Sequence, residues 1–527
     1  MGSKVDGDES ITIDHLQVRR PVRPILVRAA KSDAAVHHYL SPLNDRSRNR
    51  AIIVAVDYPR LRGAALIRIF NHYVSKIAFV LLVLELAMLL ASASLASALW
   101  LGDGGRLLGD RLYLSSLTFA LVIIFSMSAL GMYQHDAGGS LRLTLVRIMP
   151  SFALGFALLW ALIAVRPEIY VGRGISSLVF ALGATGVLLT RLVVFKSAES
   201  ALLEARLIFI GDGAIARECI ALAQSKAGFH QFDVVGCVPV ADEPRCVADA
   251  NLLPMGESLL VMAQKYEASE LIVTLANRRG SSFPNAQLLE CALGGVRVID
   301  AATFFEREAC QIRLDSLQPS YLIFGGGFDQ SFARATSKRA IDLLASAALT
   351  ALALPVMLVT AAAILIEDGG PVFYQQERVG LNGRVFDVLK FRSMRKDAEG
   401  AGVPVWASMD DPRITRVGHW IRKLRIDELP QMLNVIRGDM SFVGPRPERA
   451  YFVAQLEADV PYYRLRHGIK PGITGLAQVR YQYGASREDA IEKLQYDLYY
   501  VKNNSLFLDL LILIDTVQVV LFGKGSR

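Results

Sequence analysis

Apolar and polar positions along the chain fall into blocks. Four apolar runs, residues 77–101, 112–133, 148–165 and 175–195, each approach the roughly 20 residues that span a bilayer core. Residues 1–70 ahead of them are basic and poor in long apolar runs, which reads as a cytoplasmic tail. The positive-inside rule then places the N-terminus inside, and four crossings return the chain to that side. The opening residues are polar, so no cleavable signal peptide is expected. Glu85 lies inside the first run, where a carboxyl is unfavourable. No partner charge is evident in the sequence, and the residue is read as structural, with a lipid contact as the alternative.

Beyond Arg206 the period changes. Residues 206–210 read as a buried strand, 211–216 as a turn into a helix, and 232–240, 271–275 and 296–300 as later strands. Strands alternating with helices predict a parallel α/β sheet of Rossmann type over residues 201–330. Gly211, Gly213 and Ala216 stand in G-x-G-x-x-A after a strand and before a helix, the context of a dinucleotide fingerprint. The signal is weak: the same turn serves packing, and the acidic residue expected after the second strand comes late, at Asp242. A structural, oligomerising or nucleotide-sensing role is expected in preference to redox chemistry.

A fifth apolar run, residues 343–366, follows Lys338 and Arg339 and holds Pro355 in its middle. Proline removes a backbone hydrogen bond and kinks a helix. A straight crossing would put everything after it outside; a bent helix entering and leaving by one face keeps it inside. The rest of the 331–527 segment is rich in charge and Gly/Pro turns and reads as a compact catalytic domain. Near its end, residues 505–516 are apolar but interrupted by Asp509 and Asp515. They are expected to pack on that domain or lie at the membrane surface.

Composition sharpens this picture. The chain is 52% hydrophobic and 20% charged, against about 45–50% and 25% in soluble domains. The net charge of +7 suits anionic lipid and phosphate ligands; no nucleic-acid partner is expected. The five cysteines (Cys219, Cys237, Cys246, Cys291, Cys310) form no C-x-x-C pair and read as reduced thiols, not as disulfides or a zinc site.

The chemistry concentrates in residues 425–448. Asp427 and Glu428 precede Leu429-Pro430, and residues 431–436 read as helix. Proline suits the first helical turn, so the two carboxyls are expected at a helix N-terminus, where anions are favoured and free N–H groups can hold phosphate. One carboxylate can attack phosphorus and its neighbour can hold Mg²⁺. An isolated Asp-Glu pair is more often a solvated cap. Three basic turns change the balance. Pro445-Arg446-Pro447 presents one guanidinium, Lys390 and Arg392 stand together in KFRSM, and Lys470 opens a Pro/Gly turn. All are read as binding substrate phosphate.

These elements resemble the monotopic phosphoglycosyl transferases, or bacterial sugar transferases. The matching pieces are the proline-bearing run, residues 371–373, 390–394, 413–418, 427–431, 438–441, 445–447 and 471–475, in the family's order over about 335–520. The resemblance implies a membrane bundle of four spans (71–200), a Rossmann-like α/β domain (201–330) and an α/β transferase domain with a re-entrant helix kinked at Pro355 (331–527). It further implies a ping-pong reaction with a covalent phosphosugar on Asp427 and Mg²⁺ on Glu428. UMP leaves a UDP-sugar, and the phosphosugar passes to undecaprenyl phosphate, at the cytosolic face of a bacterial inner membrane. The arrangement looks most like the subgroup transferring glucose-1-phosphate for exopolysaccharide synthesis. One departure is Leu354, where many members carry a serine before the proline. Self-association is left open.

Two other readings compete. A membrane-anchored nucleotide-sugar dehydratase or epimerase resembles only the first 330 residues and needs a Tyr-x-x-x-Lys pair, absent from residues 206–337. A non-enzymatic polysaccharide-assembly scaffold leaves the 390–478 motifs unexplained.

Overall fold

Two β-strands, β1 (Leu66–Ile69) and β2 (His72–Ser75), form an antiparallel hairpin that leads straight into helix α1 (Lys76–Leu101). The computed structural model describes residues 66–69, 72–101, 109–133, 141–170, 172–198, 205–225, 232–240, 244–248, 251–254, 256–275, 283–328, 331–395, 413–481, 484 and 486–522. Most of the basic tail and Asp242 lie outside the described residues. All described residues belong to one compact unit, Tyr58–Arg527.

Helices α2 (Gly109–Ala129), α3 (Leu141–Val165) and α4 (Arg173–Ala198) complete a bundle with α1. Among the described residues, four helices are long and apolar enough to cross a membrane: 76–100, 144–165, 173–196 and 332–368; the Tyr113–Ala129 stretch of α2 is shorter. The second expected span ends at Ala129, because residues 130–133 turn. That turn brings Tyr133 to Glu85, whose Oε2 accepts the phenol hydrogen. The partner charge missing from the sequence reading is Arg191 on α4. Its Nε lies 2.6 Å from Glu85 Oε1, both side chains are fully buried, and Arg191 Nη1 also reaches the Met132 carbonyl. A buried carboxylate persists only when so paired.

The α/β portion runs β3 (Ala205–Ile210), α5 (Ala214–Gln224), β4 (Phe232–Val238), α6 (Leu259–Lys265), β5 (Glu270–Val273), α7 (Asn285–Leu293), β6 (Arg297–Asp300) and α8 (Ala301–Ala309). Its strands form a parallel sheet in the order β4-β3-β5-β6. Leu207 and Phe209 pack with α5 and α8, whereas Ile208 and Ile210 pack with α6 and α7. Burial on both faces explains why β3 reads as an unbroken apolar run. Gly211 ends β3 at φ +116°, and a Cβ there would meet Thr274 Oγ1 at 2.8 Å; only glycine fits that turn. Gly213 caps α5 and Ala216 is buried within it.

After a short helix α9 (Pro319–Phe324) comes α10 (Phe332–Asp368), 37 residues without a break and with Pro355 inside. Straight, it would run about 55 Å, beyond the ~30 Å bilayer core. The C-terminal portion is a hairpin, β7 (Phe373–Val379) and β8 (Val385–Phe391), then α11 (Arg416–Lys423), α12 (Gln431–Arg437), β9 (Ser441–Val443), α13 (Ala450–Asp459), β10 (Gly472–Thr474), α14 (Leu476–Arg480), α15 (Arg487–Asn503) and α16 (Leu506–Phe522). β9 and β10 pair in parallel. Val388, Met432, Val435, Phe442, Leu498, Tyr499 and Ile512 share its core, each worth roughly 1.5–3 kcal/mol of burial.

Both ends of α10 grip this portion. Lys338 donates to Asp509 Oδ2 at 2.7 Å and to the Val443 carbonyl, while Asp342 accepts from Phe442 N. At the other end Ile364 packs on Phe391 and Ile421, and Glu367 accepts from the backbone of Arg416 and Val417 at the start of α11. Between them Leu344, Leu352, Leu358 and Val359 are exposed. Helix α15 joins the remaining parts. His72 hydrogen-bonds Tyr499 at 2.7 Å and Lys502 donates to Glu306 of α8 at 2.7 Å. As expected, the apolar 505–516 segment packs on the core of the C-terminal portion as part of α16, with Asp509 paired to Lys338 and Asp515 to Arg480. α16 also packs against α2.

Candidate active site

Asp427 and Glu428 occupy a single 3₁₀ turn, Ile426–Glu428, that runs into Pro430, the N-cap of α12. Arg425, at φ +58°, turns the chain sharply after α11. The carboxyls therefore precede the helix by one tight turn, instead of forming its first residues. α12 ends at Gly438, φ +99°, which accommodates the left-handed cap. Its Asn434 is fully buried and ties the helix to β8, receiving Leu389 N and donating to the Asp387 carbonyl.

The two acids differ in surroundings. Lys390 Nζ and Arg446 Nη2 stand 3.2 and 3.0 Å from Glu428 Oε1, and Arg425 Nη1 lies 3.7 Å from Oε2. Burial alone would raise the Glu428 carboxyl, but Lys390, Arg446 and Arg425 outweigh it and hold it well below the usual range. Asp427 goes the other way: burial, then the Glu428 charge, raise it, against Lys390, Arg422 and Arg425. Among the described residues no hydrogen bond or ion pair engages the Asp427 carboxylate. Burial holds the Lys390 ammonium below its ordinary range, with Arg446 adding and Glu428 opposing.

The turn carrying Arg446 is braced from beneath. Gly444 N donates to the Thr474 carbonyl and Gly472 N to that of Pro445, while the Pro447 carbonyl accepts from Arg378 Nη1 at 3.2 Å. Arg466 Nη2 donates to the Arg446 carbonyl at 3.0 Å and to Asp497 Oδ2 at 2.8 Å, and its Nη1 to the Tyr463 hydroxyl. Burial pushes Arg378 down to about 10, helped by Arg446 and Arg449 and opposed by Glu448.

The fold thus brings together Asp427, Glu428, Lys390, Arg446 and the flanking prolines. It places two other expected phosphate ligands elsewhere. Arg392 is buried and donates to the carbonyls of Asp368 and Gly369, closing the end of α10. Lys470 stands beside Arg339 and Gly438, at the far end of α12. Sequence reasoning missed Arg378, Arg425, Arg466 and Asp497. Arg425 lies within residues 425–448, but the Arg466–Asp497 pair has no local signal.

An acidic pair framed by Lys390, Arg446 and Arg425 is the kind of arrangement that phosphate chemistry uses. The bacterial sugar transferase family profile matches residues 333–523. Over 240 residues the chain is 43% identical to UDP-N-acetylgalactosamine-undecaprenyl-phosphate N-acetylgalactosaminephosphotransferase of Aeromonas hydrophila, covering 46% of this chain and 56% of that protein. It is 41% identical over 194 residues to undecaprenyl-phosphate glucose phosphotransferase of Komagataeibacter xylinus, 36% of each chain. It is 43% identical over 186 residues to UDP-glucose:undecaprenyl-phosphate glucose-1-phosphate transferase of Caulobacter vibrioides, 35% of this chain and 69% of that one. The first two matches thus span about half or less of the relatives' own lengths. The chain belongs to the bacterial sugar transferase family.

Proposed function

We propose that the protein moves a sugar-1-phosphate from a UDP-sugar to undecaprenyl phosphate, releasing UMP. The asymmetry of the acidic pair carries this reading: Glu428 is surrounded by cations, while the Asp427 carboxylate makes no hydrogen bond or ion pair among the described residues and has a raised pKa. The Asp427 carboxylate attacks the β-phosphorus; the bond to the bridging oxygen breaks, and its electron pair leaves with UMP. An oxygen of undecaprenyl phosphate then attacks the same phosphorus and displaces the carboxylate. Lys390 and Arg446 stabilise charge developing on the diphosphate. The Arg466–Asp497 pair holds Arg446 in place through its carbonyl.

Mg²⁺ fits this donor set. An ionised Glu428 beside Asp427 offers hard oxygen ligands. Among the described residues no group of three or more acidic, histidine or cysteine side chains could hold a metal by itself; diphosphate oxygens would have to complete the shell. When bound, the ion neutralises the diphosphate and eases UMP departure.

The sugar we infer is glucose; N-acetylgalactosamine is the second reading, favoured by the 240-residue match to the Aeromonas protein. We place the site at the cytosolic face of the inner membrane, with α10 entering and leaving by that face. The attachment of both its ends to one domain and the exposed apolar middle support that path. The test is single-turnover UMP release by full-length protein in nanodiscs, with a panel of UDP-sugars, Mg²⁺ and no acceptor. A burst of about one equivalent is expected, with the phosphosugar retained on the protein, and Asp427→Asn removes both. Undiminished turnover by Asp427→Asn refutes the covalent route.

A further inference from the structure

We propose that Arg339 and Lys470 form a second anion site, which takes a phosphate ester carried on a membrane lipid. The inference rests on the membrane placement of α10 given above. The site lies at the opposite end of α12 from the acidic pair. The seven residues between, Gln431–Arg437, amount to about 10 Å of helix.

Both cations converge on one open point. Arg339 Nη2 and Lys470 Nζ each stand 3.5 Å from where a Cβ on Gly438 would lie. Glycine is favoured at 438 by φ +99°, and its missing side chain leaves that point vacant. The guanidinium is already oriented: Nη1 donates to the Val435 carbonyl at 2.5 Å and Nη2 to that of Ile436 at 2.7 Å. The negative end of α12 accounts for Arg339. It does not account for Lys470, which among the described residues makes no hydrogen bond or ion pair. Burial, with Arg339 adding its repulsion, holds the Lys470 ammonium below its ordinary range. Asp342 and Asp439 are near enough to pull in the other direction. Asp342 is engaged by Phe442 N at 3.1 Å, and neither carboxylate pairs with Lys470.

Two cations facing one gap are relieved by an anion, and phosphate oxygens suit an arginine and a lysine together. The level of the site selects the ligand. Arg339 stands just ahead of the exposed apolar stretch that begins with Ile341, Leu343 and Leu344. That is the depth of lipid phosphates. The shared chemistry is a lipid-borne phosphate ester, whether the diester of a bilayer phospholipid or the monoester of a polyprenyl phosphate.

Native mass spectrometry of the detergent-solubilised full chain tests this, with dioleoyl phosphatidylglycerol, dioleoyl phosphatidylcholine and undecaprenyl phosphate titrated separately and in competition. Wild type is expected to retain one anionic lipid at about tenfold lower concentration than phosphatidylcholine, roughly the worth of one charge-assisted contact. Arg339→Gln/Lys470→Gln loses that preference. Gly438→Asp sets a carboxylate between the cations at some cost in backbone strain, since φ is +99° there; it is expected to block retention in the protein that remains folded. Displacement of phosphatidylglycerol by undecaprenyl phosphate assigns the site to the acceptor; lack of displacement assigns it to a bilayer lipid. Equal anionic preference in the double variant overturns the site. Retention of no lipid of any class by wild type overturns the membrane placement itself.

Discussion

Replacing Asp497 by Asn separates what holds the transferase portion together from what positions Arg446. Asp497 and Arg466 are 3% and 5% exposed at the side chain and 2.8 Å apart. Removing one charge leaves the other buried and unpaired, at about 3–5 kcal/mol. At about 2–4 °C per kcal/mol for domains of this size, the heat-inactivation midpoint should fall on the order of 10 °C. Arg466→Met/Asp497→Leu restores much of that stability, because a packed apolar pair replaces the ions. It does not reach wild-type activity, since replacing Arg466 takes away the donor to the Arg446 carbonyl. One hydrogen bond of about 1–1.5 kcal/mol implies a roughly tenfold slower UMP release. The assay is single-turnover UMP release: the unheated rate reads activity, and the fraction of that rate left after graded heating reads stability. An Asp497→Asn midpoint within about 2 °C of wild type, or full activity in the double variant, refutes this account of the brace.

Asp427 must be ionised to attack, and burial and Glu428 raise its pKa. UMP release should therefore fall as pH drops through a point above the ordinary aspartate range, while Glu428, held low, stays charged. Lys390→Met removes a cation that lowers both and should move the acid limb to higher pH; an unmoved limb in single-turnover pH profiles excludes Lys390 from the field at Asp427. In the bundle, Arg191→Leu strands the Glu85 carboxylate and should destabilise by about 3–5 kcal/mol, seen as loss of the monodisperse peak in mild detergent. Glu85→Leu/Arg191→Leu should recover that peak.

The apolar runs were legible because crossing a bilayer demands uninterrupted length, a property of the sequence itself. The acidic pair, Lys390 and Arg446 were legible because short spacings and prolines restrict local geometry. Pairings between distant segments were not. Glu85 meets Arg191 from the last helix of the bundle, and Arg466 meets Asp497 from the middle of α15. Arg392 shows the limit of local reading. It stands one residue past the last ladder position of β8, where strand alternation no longer fixes its direction, and it turns to the end of α10. The Pro/Gly turn after Lys470 marks it as a candidate phosphate cation, but the surroundings of its side chain depend on Arg339, far back in the chain.

The clamp at the head of α10 bears on the order of events during synthesis. Lys338 and Asp509 are separated by 171 residues. At 5–20 residues per second, the helix waits on the order of 10–30 s for its last anchor to leave the ribosome. For that interval the leading end is held only by the bonds that Lys338, Arg339 and Asp342 make to residues 435–443. The segment that carries Asp509 therefore completes, late, the anchoring of a helix made much earlier.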